Sequence, residues 1–262
     1  MKRRLIEKIP TELPFEIAEL TKNAEIYDSS CSPEARVYFI DRNEGYYLKI
    51  SAPGTLTAEA EMNAYFHKKG IGAEVINYIS HEKDFLLTRC VSGEDATHEK
   101  FISKPEILCD KTAEFLRALH ELDFSDCPVK NRNESYIALV EKNYKSGSFD
   151  LSLTEELFPF KSANEAYSLF SSGKSELKSD VLLHGDYCLP NVILTDNFKL
   201  SGFIDLGGGG VGDRHIDVFW GTWTLMFNLK TDKYRERFID AYGRDKINKE
   251  MLRIIAAAEV FG

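Results

Sequence analysis

Hydrophobic and polar positions along this chain follow two periods, and the balance between them changes about a third of the way in. Residues 36–51, RVYFIDRNEGYYLKIS, are two aromatic and β-branched runs around Asp-Arg-Asn-Glu-Gly, the pattern of a β-hairpin. Residues 55–69, TLTAEAEMNAYFHKK, are rich in helix formers, set Leu56, Met62 and Phe66 on one face and stop at Gly70, which predicts a helix. Two further strands are expected, AEVINYIS (73–80) and DFLLTRCV (84–91), joined at His81-Glu82-Lys83 and closed by Ser92-Gly93. Beyond that punctuation helical spacing takes over. Residues 107–122 place Leu108, Thr112, Phe115, Leu116 and Leu119 on one stripe, SYIALVEKNY (135–144) predicts a second helix, and SANEAYSLFSS (162–172) a third ending at Gly173. NVIL (191–194) and LSGFIDL (200–206) read as short strands around Asp196-Asn197, Gly207 to Gly210 as a flexible loop, and HIDVFWGTWTLMFNL (215–229) as a buried helix. The expected class is α+β in two lobes, sheet-rich over residues 1–92 and mostly helical over residues 93–262, with no internal repeat.

Composition narrows the classes of function. At 262 residues, 43% hydrophobic and 29% charged, the chain can bury a substantial core and is no disordered or fibrous sequence. A formal net charge of −9 argues against a nucleic-acid partner and suits cationic ligands. The five cysteines (Cys31, Cys90, Cys109, Cys127, Cys188) form no Cys-x-x-Cys pair and no zinc spacing, so they read as reduced cytoplasmic thiols. Met-Lys-Arg-Arg at the start leads into no apolar h-region, and no stretch nears the ~18 apolar residues of a membrane span. The expectation is a cytoplasmic monomer without a membrane or nucleic-acid partner.

The chemistry concentrates in LLHGDYCLPNVIL, residues 182–194. Asp186 precedes Asn191 by five residues, and Asp205 follows Asn191 by fourteen. Protein-kinase catalytic loops have this order: a base Asp, a magnesium-binding Asn five residues on, and a later metal-binding Asp. A carboxylate there takes the acceptor's proton, while an amide oxygen and a second carboxylate are hard ligands for Mg²⁺ on the phosphates. Each piece alone has a plainer account, His184-Gly185-Asp186 as a turn and Asp205-Leu206-Gly207 as a strand end; order and spacing together favour phosphotransfer. His184 reads as scaffolding. Phosphotransfer also requires a strand lysine and a helix glutamate. Lys49 in YYLKI and Glu59, preferred over Glu61 because it can face inward with Met62 and Phe66, are the candidates. Tyr47, on the same strand face as Lys49, is placed to stack on adenine or to pack in the core, and the Arg89-Cys90-Val91 backbone to meet the adenine edge. SSCSPEARVYF (29–39) has no glycine and cannot be a Gly-rich kinase loop; Ser29, Ser30 and Ser32 offer hydroxyl or amide groups to phosphate, or form an ordinary turn.

These residues resemble the aminoglycoside phosphotransferases, kinase-fold enzymes that inactivate antibiotics with ATP, and especially their 3′-phosphotransferase branch. HGDYCLPNVIL and SGFIDLGGGGVGDRHID carry the likeness, with support from SPEARVYF, YYLKI, LHELDFSDCP and AAAEVFG. The resemblance implies a two-lobed protein-kinase-like fold, ATP (GTP being possible) and Mg²⁺, Asp186 as base, Asn191 and Asp205 as metal ligands, Lys49 with Glu59 on the phosphates, and Tyr47 against adenine. It further implies a small polycationic acceptor near Glu155, Glu156, Glu259 and the carboxylate of Gly262. Gly208 stands where the family usually has arginine, Trp223 and Phe227 where better-known relatives have charged residues, and Ala258 where an acid is expected. The alternatives are a kinase of another small hydroxylated amine or antibiotic, and a nucleotide-binding regulator without turnover. A protein kinase is disfavoured, because no peptide-docking activation segment separates Asp205 from the helix at Asp217.

Overall fold

A computed structural model describes residues 3–31 and 35–262. Its first third is an antiparallel sheet built from short segments: β1 (Arg4–Ile6), β2 (Glu25–Asp28), β3 (Arg36–Asp41), β4 (Tyr46–Ser51), β5 (Val75–Ser80) and β6 (Asp84–Arg89), in the order β1-β2-β3-β4-β6-β5. Strand alternation decides its two faces. Ile26, Ile40, Leu48, Ile50 and Leu87 pack with Ile17 of α1 (Phe15–Thr21) on one side. Residues of opposite parity, among them Phe39, Tyr47 and Lys49, line a cavity on the other. The predicted hairpin is present, with Lys49 opposite Val37 on one side and Leu86 on the other. β1, α1 and β2, which the sequence did not announce, extend the sheet at its far edge.

Helix α2 (Thr57–Lys68) sits between the sheet and the helical part of the chain. Leu56 and Ala60 pack with Leu86 of β6, whereas Met62, Tyr65 and Phe66 belong to the large helical core. Its start is fixed from outside. Asp84, fully buried at 0% exposure, accepts hydrogen bonds from the amides of Gly54 (2.9 Å) and Leu56 (2.8 Å) and from the Tyr78 hydroxyl (3.1 Å).

After the two-residue β7 (Glu94–Asp95) and the short α3 (Glu99–Ile102) come helices α4 (Pro105–His120), α5 (Arg132–Ser146) and α6 (Ala163–Gly173). Strands β8 (Val181–Leu183), β9 (Val192–Leu194), β10 (Leu200–Phe203) and β11 (Gly210–Gly212) then lead into α7 (His215–Leu229), α8 (Arg235–Tyr242) and α9 (Lys249–Glu259). Small residues permit the closest packing: a Cβ on Gly221 of α7 would lie 2.5 Å from Phe238 of α8. Among the described residues no helix is long and apolar enough to cross a membrane.

One expectation needs correction. Gly207 to Gly210 is not a flexible loop: Leu206–Gly208 forms a 3₁₀ turn, and Gly210 to Gly212 pair with Leu183 to Val181. A strand stabilised by its backbone gives no side-chain pattern to read. Helix α6 does end at Gly173, with φ −109°, and a Cβ there would lie 2.2 Å from Ile254 of α9, so a small residue lets α6 and α9 touch.

Replacing Asp84 by Ala should strip the partner from the buried Leu56 amide and the part-buried Gly54 amide and cost about 2 kcal/mol of stability in urea unfolding; a change within about 0.5 kcal/mol would mean that α2 is positioned without this carboxylate.

Candidate active site

The loop after β8 carries Asp186 and is held by its backbone. Oδ2 of Asp217, in the first turn of α7, accepts from the amide of His184 (2.7 Å), and Oδ1 accepts from that of Gly185 (2.8 Å). Asp217 is itself fully buried and lies 3.1 Å from His120 Nε2, whose Nδ1 meets the Tyr242 hydroxyl at 2.8 Å. Further along α7, Thr224 Oγ1 accepts from the Leu189 amide at 3.0 Å. One helix therefore clamps both ends of the loop. Gly185 has φ +86°, and the backbones of Gly185 and Gly208 approach so closely that a Cβ on Gly185 would fall 1.8 Å from the Gly208 oxygen. At Gly208 a Cβ would lie 2.8 Å from the Gly185 carbonyl, so an arginine there needs a shifted loop. His184 is buried scaffolding, as expected: Nδ1 accepts from the Asp186 amide (3.3 Å), and the ring packs edge-on against Tyr187 and Phe203.

Asp186, Asn191 and Asp205 converge. Asn191 Nδ2 donates to the Asp186 carboxylate (2.8 Å) and to its carbonyl (3.0 Å), and the Asn191 carbonyl accepts from the Ile204 amide (3.1 Å), coupling the loop to the segment before Asp205. Asp205 adopts φ +60°, a left-handed conformation rare for a residue with a side chain and typical of strained functional positions. Its carboxylate is half exposed and lies 2.8 Å from Lys49 Nζ. The same ammonium lies 2.8 Å from Glu59 Oε2, whereas Glu61 faces solvent. Burial alone would lower the Lys49 pKa, but the two carboxylates outweigh it and raise it; Glu59 is pushed up by burial, opposed by the Lys49 ammonium.

Lys49, Glu59, Asn191 and Asp205 line a cavity of about 780 Å³ between the sheet and β9 to β10, and Asp186 adjoins it through its hydrogen bond to Asn191. Tyr47, Arg89 and Val91 also line it. The Tyr47 ring sits 5.3 Å from Phe39, and its hydroxyl accepts from the Arg3 guanidinium at 2.6 Å. The Arg89 guanidinium is engaged by the Glu74 carboxylate at 2.7 Å, the Arg89 amide donates to the Glu74 carbonyl at 2.9 Å and the Cys90 amide to the Gly45 carbonyl at 3.0 Å. Ser30 Oγ accepts from the Val37 amide and is committed to the local turn; Ser32 lies outside the described residues. Among the described residues no group of three or more His, Cys, Asp or Glu side chains could hold a metal unaided.

None of the four residues assigned to the acceptor lines this cavity. Glu155 and Glu156 are exposed on the turn before α6, and Gly262 is exposed at the chain end. Glu259 is different: only 4% exposed, it accepts from the Tyr136 hydroxyl (2.8 Å) and bonds the Trp220 indole. Burial, opposed by the Tyr136 hydrogen bond and reinforced by the Asp186 charge, pushes its pKa up to about 7. Asp217 and His120 escaped sequence reasoning. The available signal was a single carboxylate in the first turn of an otherwise apolar helix, a position that has to be satisfied internally.

The arrangement has relatives. A family model described as "Phosphotransferase enzyme family" matches residues 32–254. The chain is 50% identical, over 98% of its length and 96% of the relative's, to a probable aminoglycoside 3′-phosphotransferase of Lactococcus lactis, and 30% identical to an aminoglycoside 3′-phosphotransferase of Niallia circulans over 95% and 97%. Its fold matches the crystal structure of an aminoglycoside-3′-phosphotransferase of type VIII with a TM-score of 0.72, at 23% identity over 91% of this chain and 94% of that one. It also matches a Streptomyces rimosus aminoglycoside phosphotransferase holding ADP and streptomycin, with a TM-score of 0.68 at 21% identity, over 86% and 90%. The α+β, kinase-like fold expected from the motifs is therefore correct, and the chain belongs to the phosphotransferase enzyme family.

Proposed function

We propose that this protein transfers the γ-phosphoryl group of ATP to the 3′-hydroxyl of an aminoglycoside and so inactivates the drug. The observation that carries this reading is the meeting, at one cavity, of the Asp186–Asn191 hydrogen bond with the Lys49–Glu59–Asp205 ion cluster. Two 3′-phosphotransferase relatives, one at 50% identity over nearly the whole chain, support the acceptor. On this reading residues 1–92 form the nucleotide lobe and residues 93–262 the catalytic and acceptor lobe, and the enzyme works as a cytoplasmic monomer, in keeping with five free thiols.

The nucleotide occupies the cavity, its base against Tyr47 beside the Arg89 and Val91 backbone and its phosphates toward Lys49. Lys49 exchanges its contact with Asp205 for phosphate oxygens, while Glu59 keeps the ammonium aimed at them. Asp186, only part buried, accepts the proton of the acceptor hydroxyl; the freed oxygen bonds to the γ-phosphorus as the bond to the bridging oxygen breaks, and ADP leaves. The donor set fits Mg²⁺: Asp205 presents a half-exposed carboxylate, and Asn191 uses its NH₂ group on Asp186, which leaves the amide oxygen to serve as a ligand. Bound there with phosphate oxygens, the ion would neutralise charge developing on the transferred group.

Glu155 and Glu156 are exposed carboxylates available to acceptor ammoniums; Glu259 acts from behind the surface.

ADP release from ATP should appear with kanamycin-like drugs in the presence of magnesium and be absent for analogues lacking the 3′-hydroxyl; equal release with and without that hydroxyl would remove the regiochemical assignment. Asp186→Ala should lower kcat by about 10²- to 10⁴-fold and leave ADP affinity within about twofold, measured by calorimetry. Retained turnover would disqualify Asp186 as base. Asp205→Ala should instead abolish the magnesium dependence of nucleotide binding, and an undiminished magnesium effect would show that the ion is held elsewhere.

A further inference from the structure

Both tryptophans of the chain stand on one stripe of α7 with no role in the chemistry above. Trp220, Trp223 and Phe227 follow at i, i+3 and i+7 and touch in sequence: the two indoles meet edge to face at 5.4 Å, and Trp223 stacks on Phe227 at 4.9 Å with an interplanar angle of 12°. A row of rings that only packed the core would be buried, yet Phe227 is 51% exposed and both indoles are partly so. The stripe borders the catalytic loop, because Asp217 and Thr224 of the same helix hold that loop at both ends.

Its frame is polar and acidic. The Trp220 indole bonds Glu259, which senses the charge of Asp186, and Trp223 Nε1 donates to the Leu153 carbonyl at 2.7 Å. Leu153 belongs to the turn that exposes Glu155 and Glu156, and the Asp150 amide ties that turn to the Val260 carbonyl at 2.8 Å, close to the terminal Gly262. The rings are thus fixed by hydrogen bonds and rimmed by carboxylates. One of them already holds a cation, the Lys230 ammonium lying 4.2 Å from the centre of the Phe227 ring.

We propose that Trp220, Trp223 and Phe227 form a stacking wall for the acceptor, selecting an ammonium-bearing sugar ring through its polarised C–H face while the rim carboxylates take its amines. This rests on the phosphotransfer reading of Asp186. Aromatic faces are electron-rich, so they favour C–H groups made electropositive by a neighbouring ammonium, and they do so with less sensitivity to salt than exposed carboxylates. Aromatic rings at Trp223 and Phe227 would thus select by shape as well as by charge.

Because both tryptophans are in the wall, intrinsic emission reports on it alone. Kanamycin titrated into the ADP-bound enzyme should change tryptophan emission saturably, and Phe227→Ala should raise the kanamycin KM about tenfold with ADP affinity unchanged. Trp220→Phe should raise KM less, and Phe15→Ala, removing a still more exposed ring on α1, should do nothing. Unaltered emission on saturation, or a wild-type KM in both Phe227→Ala and Trp220→Phe, would overturn the wall while leaving the phosphotransfer reading intact. Failure of the wild type to phosphorylate any aminoglycoside would instead sink that reading, and the emission titration would still decide whether the wall binds the amine.

Discussion

The ammonium of Lys49, held 2.8 Å from Glu59 and 2.8 Å from Asp205, is the interaction on which the geometry of this protein depends. It joins three parts that the chain builds separately: the sheet through β4, the bridging helix through α2, and the segment after β10, 156 residues further on. One positive charge against two negative ones keeps Lys49 protonated despite its burial, and it leaves an excess of negative charge at a site open to a cation. Asp84, by fixing where α2 begins, also fixes how far Glu59 stands from the sheet.

On the catalytic side the controlling contacts are to backbone. Asp217 takes two consecutive amides of the loop, and Gly185 lies against Gly208 with no room for a Cβ between them. The position of Asp186 is therefore set by main-chain geometry, and its side chain is left partly exposed. The same approach accounts for Gly208: the loop as built here cannot carry the expected arginine without moving. Asp217 is in turn oriented by His120, which reaches Tyr242, so the clamp extends through the helical core to α8.

The sequence made the chemistry readable because the motif residues lie close together along the chain and have strict types. Asp186, Asn191 and Asp205 were recognisable by order, and Glu59 was separable from Glu61 because Met62 and Phe66 define its helix face. What stayed hidden depends on distant pairing. β1 and β2 are three and four residues long, too short to show alternation, and acquire their state from neighbours in the sheet. The Gly207–Gly210 run looked mobile because backbone pairing leaves no side-chain period. Glu259 reads as an ordinary acid, and only the structure shows it buried between Tyr136 and Trp220. Trp223 and Phe227 were visible as departures from a pattern, but their stacking with each other and with Lys230 required the helix.

The central claim is that a phosphoryl group passes to a sugar hydroxyl held at Asp186. Phosphorus NMR of the products formed from ATP, magnesium and kanamycin tests it most directly. The account predicts a phosphomonoester resonance coupled to the proton at the 3′ carbon, growing in step with ADP. Inorganic phosphate alone beside unmodified kanamycin would contradict it.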